Sequence, residues 1–386
     1  MSAALDFAGR AIEAGGIPFD LRPELEAHEP PEVRGTTRDG VRMLVSRTFS
    51  GEVDHHAFAE LPDLLLPGDL VVVNNTATLP AAVTLPAVTG AGPMTVHFST
   101  AMPEGDWLVE LRSGSGGTSA PFRGGAAGDR LDLPGGAVLR LDRRFSARLW
   151  RGRLSTAVIP YLLRHGQPIR YSYVPAPWPI SAYQTIFATW PGSAEMPSAS
   201  RPFTPEIVTR LVSRGISVAP VTLHTGVSSL EGGEDPYPES FDVPAATARL
   251  VNLTRRAGGR VIAAGTTVVR ALETAALPAA SGRLLGGPDQ EGSCFWGPSA
   301  GSPAAGSPSA GTTVSAAAGW TSHVVTRESG VAVADGLLTG LHEPQSTHLW
   351  MLAAFTTETM LRRCYRAAAE NGYRWHEFGD VHLLLP

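Results

Sequence analysis

The chain contains no lysine: all 31 of its basic residues are arginine. Schiff-base and pyridoxal-phosphate chemistry require a lysine amine, and a phosphate-binding P-loop needs its Gly-Lys-Ser/Thr, so these mechanisms are excluded. Cysteine is almost as scarce. Cys294 and Cys364 make neither a disulfide framework nor a metal-ligand spacing, and no metal is expected. No stretch reaches the apolar length of a membrane span, and the N-terminus lacks a charged segment followed by an apolar run. The expectation is a cytoplasmic protein with no membrane partner. An excess of basic charge is missing too. The formal net charge is −5, so any nucleic-acid contact must come from a local patch.

What is present suits an enzyme-sized fold. The 386 residues, 43% of them hydrophobic, are enough for about two domains, and a monomer is the default expectation. From residue 156 onward, helix-like and strand-like segments alternate. "TPEIVTRLVSRGI" predicts a helix with Thr204 as N-cap, Pro205 at the first helical position and Gly215 as stop. "SVAPVTLH" and "RVIAAG" predict strands, "AATARLVNLTRRAGG" and "TTVVRALETAA" helices, and "STHLWMLAAFTTETMLRRCYRAAAENG" one long helix or a helix pair. Earlier, "DLVVV" reads as a buried strand. Residues 81–155 differ in texture: "MTVHFS", "DWLVELR", "AVLRLD" and "FSARLWRG" alternate in polarity between Gly and Pro punctuation. The expected fold is therefore an α/β (α+β) core with a mixed sheet, formed by 1–80 and 156–386, with a small antiparallel β-barrel inserted as 81–155. Residues 286–319, rich in Gly, Ser, Ala and Pro, read as a flexible loop within the core.

Several residues fall where α/β proteins place chemistry. In "RVIAAGTTVVRALETAA" a strand ends at Gly265 and Thr266 or Thr267 caps a helix carrying Arg270 and Glu273. A helix N-terminus with free N–H groups suits a carboxylate or phosphate, although a capped helix with a surface ion pair gives the same pattern. Asn74, Asn75 and Thr76 end the "DLVVV" strand, where a ligand contact and an Asx-turn both fit. His224 ends another strand, and "LHEPQSTH" holds His342, Glu343, Ser346, Thr347 and His348. Histidine there suits proton transfer or a structural bond alike. Arg140, Arg143, Arg144 and Arg148, with Arg151 and Arg153, form the strongest phosphate-binding candidate, set against a solvated strand face.

Taken in order, these pieces resemble the S-adenosylmethionine:tRNA ribosyltransferase-isomerases. "PGDLVVVNNTATLPA" is similar to that family's Gly-Asp-Leu…Asn-Asn-Thr segment, "VAPVTLHTG" to its Thr-Leu-His-Val-Gly strand, and "GGRVIAAGTTVVRALE" to its Gly-Thr-Thr-Ser-Val-Arg helix start. "VADGLLTGLHEPQSTHLW" is similar to its Asp-x-Leu-Leu-Thr-Asn-Phe-His-x-Pro-x-Ser-Thr stretch, and "YRWHEFGDVHLL" to its last strand. The resemblance implies that S-adenosylmethionine, as co-substrate, donates its ribosyl group to 7-aminomethyl-7-deazaguanine in tRNA. Epoxyqueuosine forms, and adenine and methionine leave. It implies proton-transfer roles for His342 or His224 with Glu239. It further implies an S-adenosylmethionine site from Asn74, Asn75, Thr76, Gly265, Thr266, Thr267, Arg270, Ser346 and Thr347, and tRNA contact through the arginine patch.

The chain also departs from the family pattern. Ala82 stands where the family has arginine, and "EMPSASRPF" replaces Ala-Pro-Thr-Ala-Gly-Leu-His-Phe, with Arg201 and Pro202 for its leucine and histidine. Residues 225–230 replace Val-Gly-x-Gly-Thr-Phe, and Tyr237 stands for a histidine beside the retained Glu239. Two further readings follow: an enzyme using S-adenosylmethionine on a non-tRNA acceptor, and a non-catalytic nucleotide- or RNA-binding descendant.

Overall fold

The computed structural model describes residues 21–85, 92–115, 119–227, 237–277, 312–344 and 346–386. Its strands, in chain order, begin with β1 (Arg42–Arg47), β2 (Val53–Ala57), β3 (Leu70–Asn74), β4 (Thr76–Thr78), β5 (Ala82–Thr84) and β6 (Met94–Ala101). There follow β7 (Trp107–Ser113), β8 (Ala120–Pro121), β9 (Arg130–Asp132), β10 (Val138–Arg144), β11 (Leu149–Leu154) and β12 (Trp190–Ser193). The last six are β13 (Ser217–His224), β14 (Glu239–Val243), β15 (Val261–Ala264), β16 (Ala317–Thr321), β17 (Gly336–Gly340) and β18 (Val381–Leu385). By compactness the chain divides into two units: 1–74, 198–223 and 229–386, and 75–197 with 224–228.

The first unit is built on a nine-stranded mixed sheet in the order β16-β14-β13-β3-β15-β17-β18-β1-β2. Its centre is parallel: β13, β3, β15 and β17 run side by side in one direction. These strands carry near-continuous aliphatic runs such as "LVVV" and "VIAA", wholly buried, as strands covered on both faces must. The edges turn antiparallel at β14–β16, β17–β18 and β1–β2. Amphipathic helices supply the cover. In Pro205–Ser213, Thr204 accepts from the Ile207 N–H and Gly215 (φ 78°) ends the turn, as the cap pattern predicts. Ala245–Arg256 and Thr266–Ala276 bracket β15 in sequence. The C-terminal helical stretch is a pair, His348–Phe355 and Glu358–Glu370, divided where the Thr357 side chain accepts from Met360 N–H. At the N-terminal ends of β3 and β15, the buried Asp69 carboxylate clamps Arg260 (Oδ1 to Nε 3.1 Å, Oδ2 to Nη2 2.5 Å).

The second unit holds a seven-stranded antiparallel sheet spanning Ala82 to Leu154, in the order β5-β6-β7-β11-β10-β9 with β8 on β7. Its pairing runs as an open path; among the described residues no pairing joins β5 to β9, so the closed barrel expected from the texture is seen only as an open antiparallel sheet. The helix Val158–His165 and the small parallel pair β4–β12 belong to the same unit.

The expected flexible loop of 286–319 needs correction at its end. Ala317 opens β16, which pairs antiparallel with β14 along Glu239–Val243, and Val314 is buried. Small residues that look like linker in sequence fit an edge strand beside the helix Thr266–Ala276. The rest of that loop, and the N-terminal lead-in of 1–20, lie outside the described residues.

Candidate functional site

In the first unit the chain passes from β3 to β13 and β14 on one side of the sheet and then crosses to β15 and β17 on the other. Such a switch point opens a crevice beyond the carboxyl ends of the strands. Asn74 ends β3 there. Its Nδ2 donates to Leu223 O (2.9 Å) and to Thr267 Oγ1 (3.2 Å), and its Oδ1 accepts from Leu223 N–H (3.1 Å). Asn74 is fully buried, so it ties the strand ends to the helix start.

β15 ends at Gly265, whose φ of 110° and ψ of 149° belong to glycine alone. Gly265 N–H donates to Leu338 O (2.8 Å), and the helix Thr266–Ala276 starts with no side-chain cap. An uncapped eleven-residue helix presents N–H groups and a partial positive charge to an anion. The segment Ser198–Ser200 runs over this point: Ser200 Oγ lies 3.4 Å from Ala264 O, and a side chain at Gly265 would meet Ala199 at 3.7 Å. Part of the divergent "EMPSASRPF" stretch therefore covers the strand ends. Arg201 within it is buried, and its Nη2 donates to both carboxylate oxygens of Glu32 (2.9 and 3.2 Å).

Arg270 and Glu273 are both buried in the same helix, not paired on the surface. Arg270 donates to Glu239 Oε2 (2.6 Å) and to the carbonyls of Tyr237 (2.9 Å), Thr321 (3.0 Å) and His323 (2.9 Å). Its guanidinium thus fastens the helix to β14 and β16. Glu273 accepts from the N–H groups of Ala332, Val333 and Ala334 (2.8, 3.0 and 3.2 Å), anchoring the loop that leads into β17. Glu239, expected near proton transfer, is the acid of the Arg270 ion pair.

β17 delivers the histidines. Thr339 Oγ1 lies 2.8 Å from His342 Nε2, and His342 stacks on His348 with centroids 4.4 Å apart at 9°. Ser346 Oγ bonds His348 Nδ1 (2.9 Å), while Thr347 is the N-cap residue of the next helix without a side-chain bond. Burial, followed by the neighbouring His348, His376 and His382, pushes His342 well below the usual imidazole range. Burial and then Arg270 push His348 down to about 4. Both rings are therefore neutral at pH 7. Thr339 is the member that sequence alone did not single out, and the His342–His348 stack joins two histidines that sequence read only as neighbours in one segment.

In the second unit, His224 Nδ1 lies 2.8 Å from Thr76 Oγ1, which also contacts Ser193 Oγ at 2.8 Å. Ser193 Oγ accepts Thr225 N–H (2.9 Å), and Asn75 O accepts from Thr189 N–H (2.9 Å). Burial lowers the His224 pKa. The arginine patch divides. Arg140, Arg143 and Arg144 are exposed, with Arg140 on Asp142 (2.7 Å) and Arg144 over the Trp150 ring (4.4 Å). Arg148 is buried against Glu110 (3.1 Å) and Arg151 against Asp106 (2.5 Å), in a run, 148–152, that is buried on both faces.

No His/Cys/Asp/Glu group suited to a metal occurs among the described residues. No described helix is long and apolar enough to cross a membrane. A family model described as queuosine biosynthesis protein matches residues 16–384. The S-adenosylmethionine:tRNA ribosyltransferase-isomerase of Heliobacterium modesticaldum is 31% identical over 97% of this chain and 100% of its own length. The protein of the same name from Thermotoga maritima is 29% identical over 95% of this chain and 98% of its own. A crystal structure of S-adenosylmethionine tRNA ribosyltransferase from Thermotoga maritima shares the fold, with a TM-score of 0.50 at 24% identity over 96% of this chain and 100% of that one.

Proposed function

The chain belongs to the queuosine biosynthesis protein family, and from that premise we propose that it is an S-adenosylmethionine:tRNA ribosyltransferase-isomerase. The ribosyl group of S-adenosylmethionine passes to 7-aminomethyl-7-deazaguanine in tRNA, forming epoxyqueuosine with loss of adenine and methionine. The observation that carries this reading is the match over residues 16–384. Relatives of that name align along almost the whole chain, so the departures in its middle are substitutions within a retained framework.

The residues present fit the co-substrate. The uncapped start of the helix Thr266–Ala276 suits the methionine carboxylate, through the N–H groups of Thr266 and Thr267. Gly265 lets a ligand approach the backbone. Arg270 supports this site from behind by holding the helix to β14 and β16. The reaction needs a base for an acidified ribose carbon and a proton for departing adenine. The neutral His342, oriented by Thr339 and braced by His348, is assigned to proton transfer. His224, set by Thr76, is the second candidate. For tRNA, the exposed Arg140, Arg143 and Arg144 supply phosphate contacts. We read the sheet spanning Ala82 to Leu154 as the inserted module expected over 81–155.

The test is product formation. Incubated with S-adenosylmethionine and tRNA carrying 7-aminomethyl-7-deazaguanine, the protein should convert that nucleoside to epoxyqueuosine, seen by mass spectrometry of the digested RNA. An unchanged nucleoside with folded protein would refute the assignment.

A further inference from the structure

A cavity of about 420 Å³ lies within the second unit, between the start of the antiparallel sheet and the segment that follows the helix Val158–His165. Ala82 and His97 line it from β5 and β6, and Arg170, Trp178, Ile180 and Tyr183 from the other side. The wall is a tight construction. Ala82 and Gln167 exchange both backbone hydrogen bonds (2.8 Å each), and a side chain at Gly166 would strike Pro80 O at 1.9 Å.

Its chemistry is specific. Trp178 and Tyr183 supply aromatic surface. The enclosed indole Nε1–H of Trp178 has no hydrogen-bond partner among the described residues, and an acceptor on a ligand would satisfy it. Arg170 donates through Nη1 to the carbonyls of Val174 and Pro175, which fixes the guanidinium and leaves Nε and Nη2 as donors. His97 is buried, with Nδ1 3.7 Å from Glu110 Oε2, and adds an imidazole to the wall. The Glu110 charge is more than offset by Arg112 (3.0 Å) and Arg148 (3.1 Å), so with Arg170 in the wall the cavity's charge is positive.

We propose that this cavity binds a single nucleotide, its base against Trp178 and Tyr183 and its phosphate on Arg170. Volume and lining fit that class: a few hundred Å³ holds one base with its sugar and phosphate. Aromatic stacking with one fixed guanidinium is how proteins grip an unstacked nucleotide. Two sources share this chemistry, an unpaired nucleotide of an RNA and a free nucleoside monophosphate. The RNA source rests on the tRNA-modifying reading above; the free-nucleotide source does not.

The experiment measures affinity for tRNA and, separately, for AMP, GMP, CMP and UMP. It compares the intact protein with Trp178→Ala, Arg170→Gln and the cavity-filling Ala82→Trp, each checked for folding by circular dichroism. Trp178→Ala should weaken binding about tenfold or more. Arg170→Gln should also lower the slope of log affinity against log salt for RNA by about 0.7. Loss for tRNA identifies an RNA nucleotide as the occupant, and loss for the monophosphates alone identifies a free one. Unchanged affinity for both in folded variants overturns the proposal. Adenine release, assayed in parallel, keeps the two claims apart. Release with no effect of the variants on binding overturns the nucleotide site and leaves the reaction. Variant-sensitive binding without release overturns the reaction and leaves the site.

Discussion

The buried imidazoles set how this protein answers to pH. His348 and His376 are pushed down to about 4 and His382 to about 3, chiefly by burial. A histidine whose folded pKa lies below its unfolded value, about 6.5, takes up its proton more readily when unfolded. Stability is therefore complete above pH 6.5 and falls as the pH drops from there toward 4. With His342 also held well below that range, chemical denaturation should give a slope near four protons, and His382→Gln should remove about one; a pH-independent midpoint would contradict this. If His342 carries the proposed proton transfer, His342→Gln should lower adenine release by about 10²–10⁴-fold with little change in melting temperature. The acid limb of the wild-type rate should lie well below pH 6.5, because His342 stays neutral there. Arg270→Ala removes an ion pair with Glu239 and three carbonyl bonds. The expected cost is about 3–5 kcal/mol, read from the urea midpoint. Sequence spacing put Arg270 and Glu273 on one face as a surface pair. It could not show that β16, hidden in a stretch of small residues, buries that face.

At the scale of elements, the local signals held where a rule of chain chemistry acts by itself. The Thr204 cap, Pro205 and Gly215 delimit a helix in sequence and in structure alike. The strand ends at Asn74 and Gly265 were legible because aliphatic runs stop there. What could not be read was partnership: that Asn74 bonds Leu223 and Thr267, or that Glu273 holds the loop before β17. Those bonds join residues far apart in the chain. The junction at Gly265 is the most exacting. Its φ of 110° and ψ of 149° imply that Gly265→Ala costs about 1–3 kcal/mol. A melting temperature unchanged in Gly265→Ala would show that the junction relaxes freely.

At the scale of the whole molecule, the α/β alternation and the change of texture near residue 81 both correspond to sheets: nine mixed strands and seven antiparallel ones. Barrel closure was not legible, since alternation of polarity fixes which face is buried and not how the sheet's ends meet. The arginine cluster shows the same limit. Arg148 and Arg151 read as surface charge in a lysine-free chain, yet each neutralises a carboxylate inside its unit. The cationic surface left to meet RNA is smaller than the sequence suggests. The central claim, a retained S-adenosylmethionine reaction on a tRNA acceptor, is tested most directly by adenine release from S-adenosylmethionine, with and without tRNA carrying 7-aminomethyl-7-deazaguanine. Release that requires the modified tRNA is the predicted result. No release in either condition from folded protein, or equal release without tRNA, would contradict it.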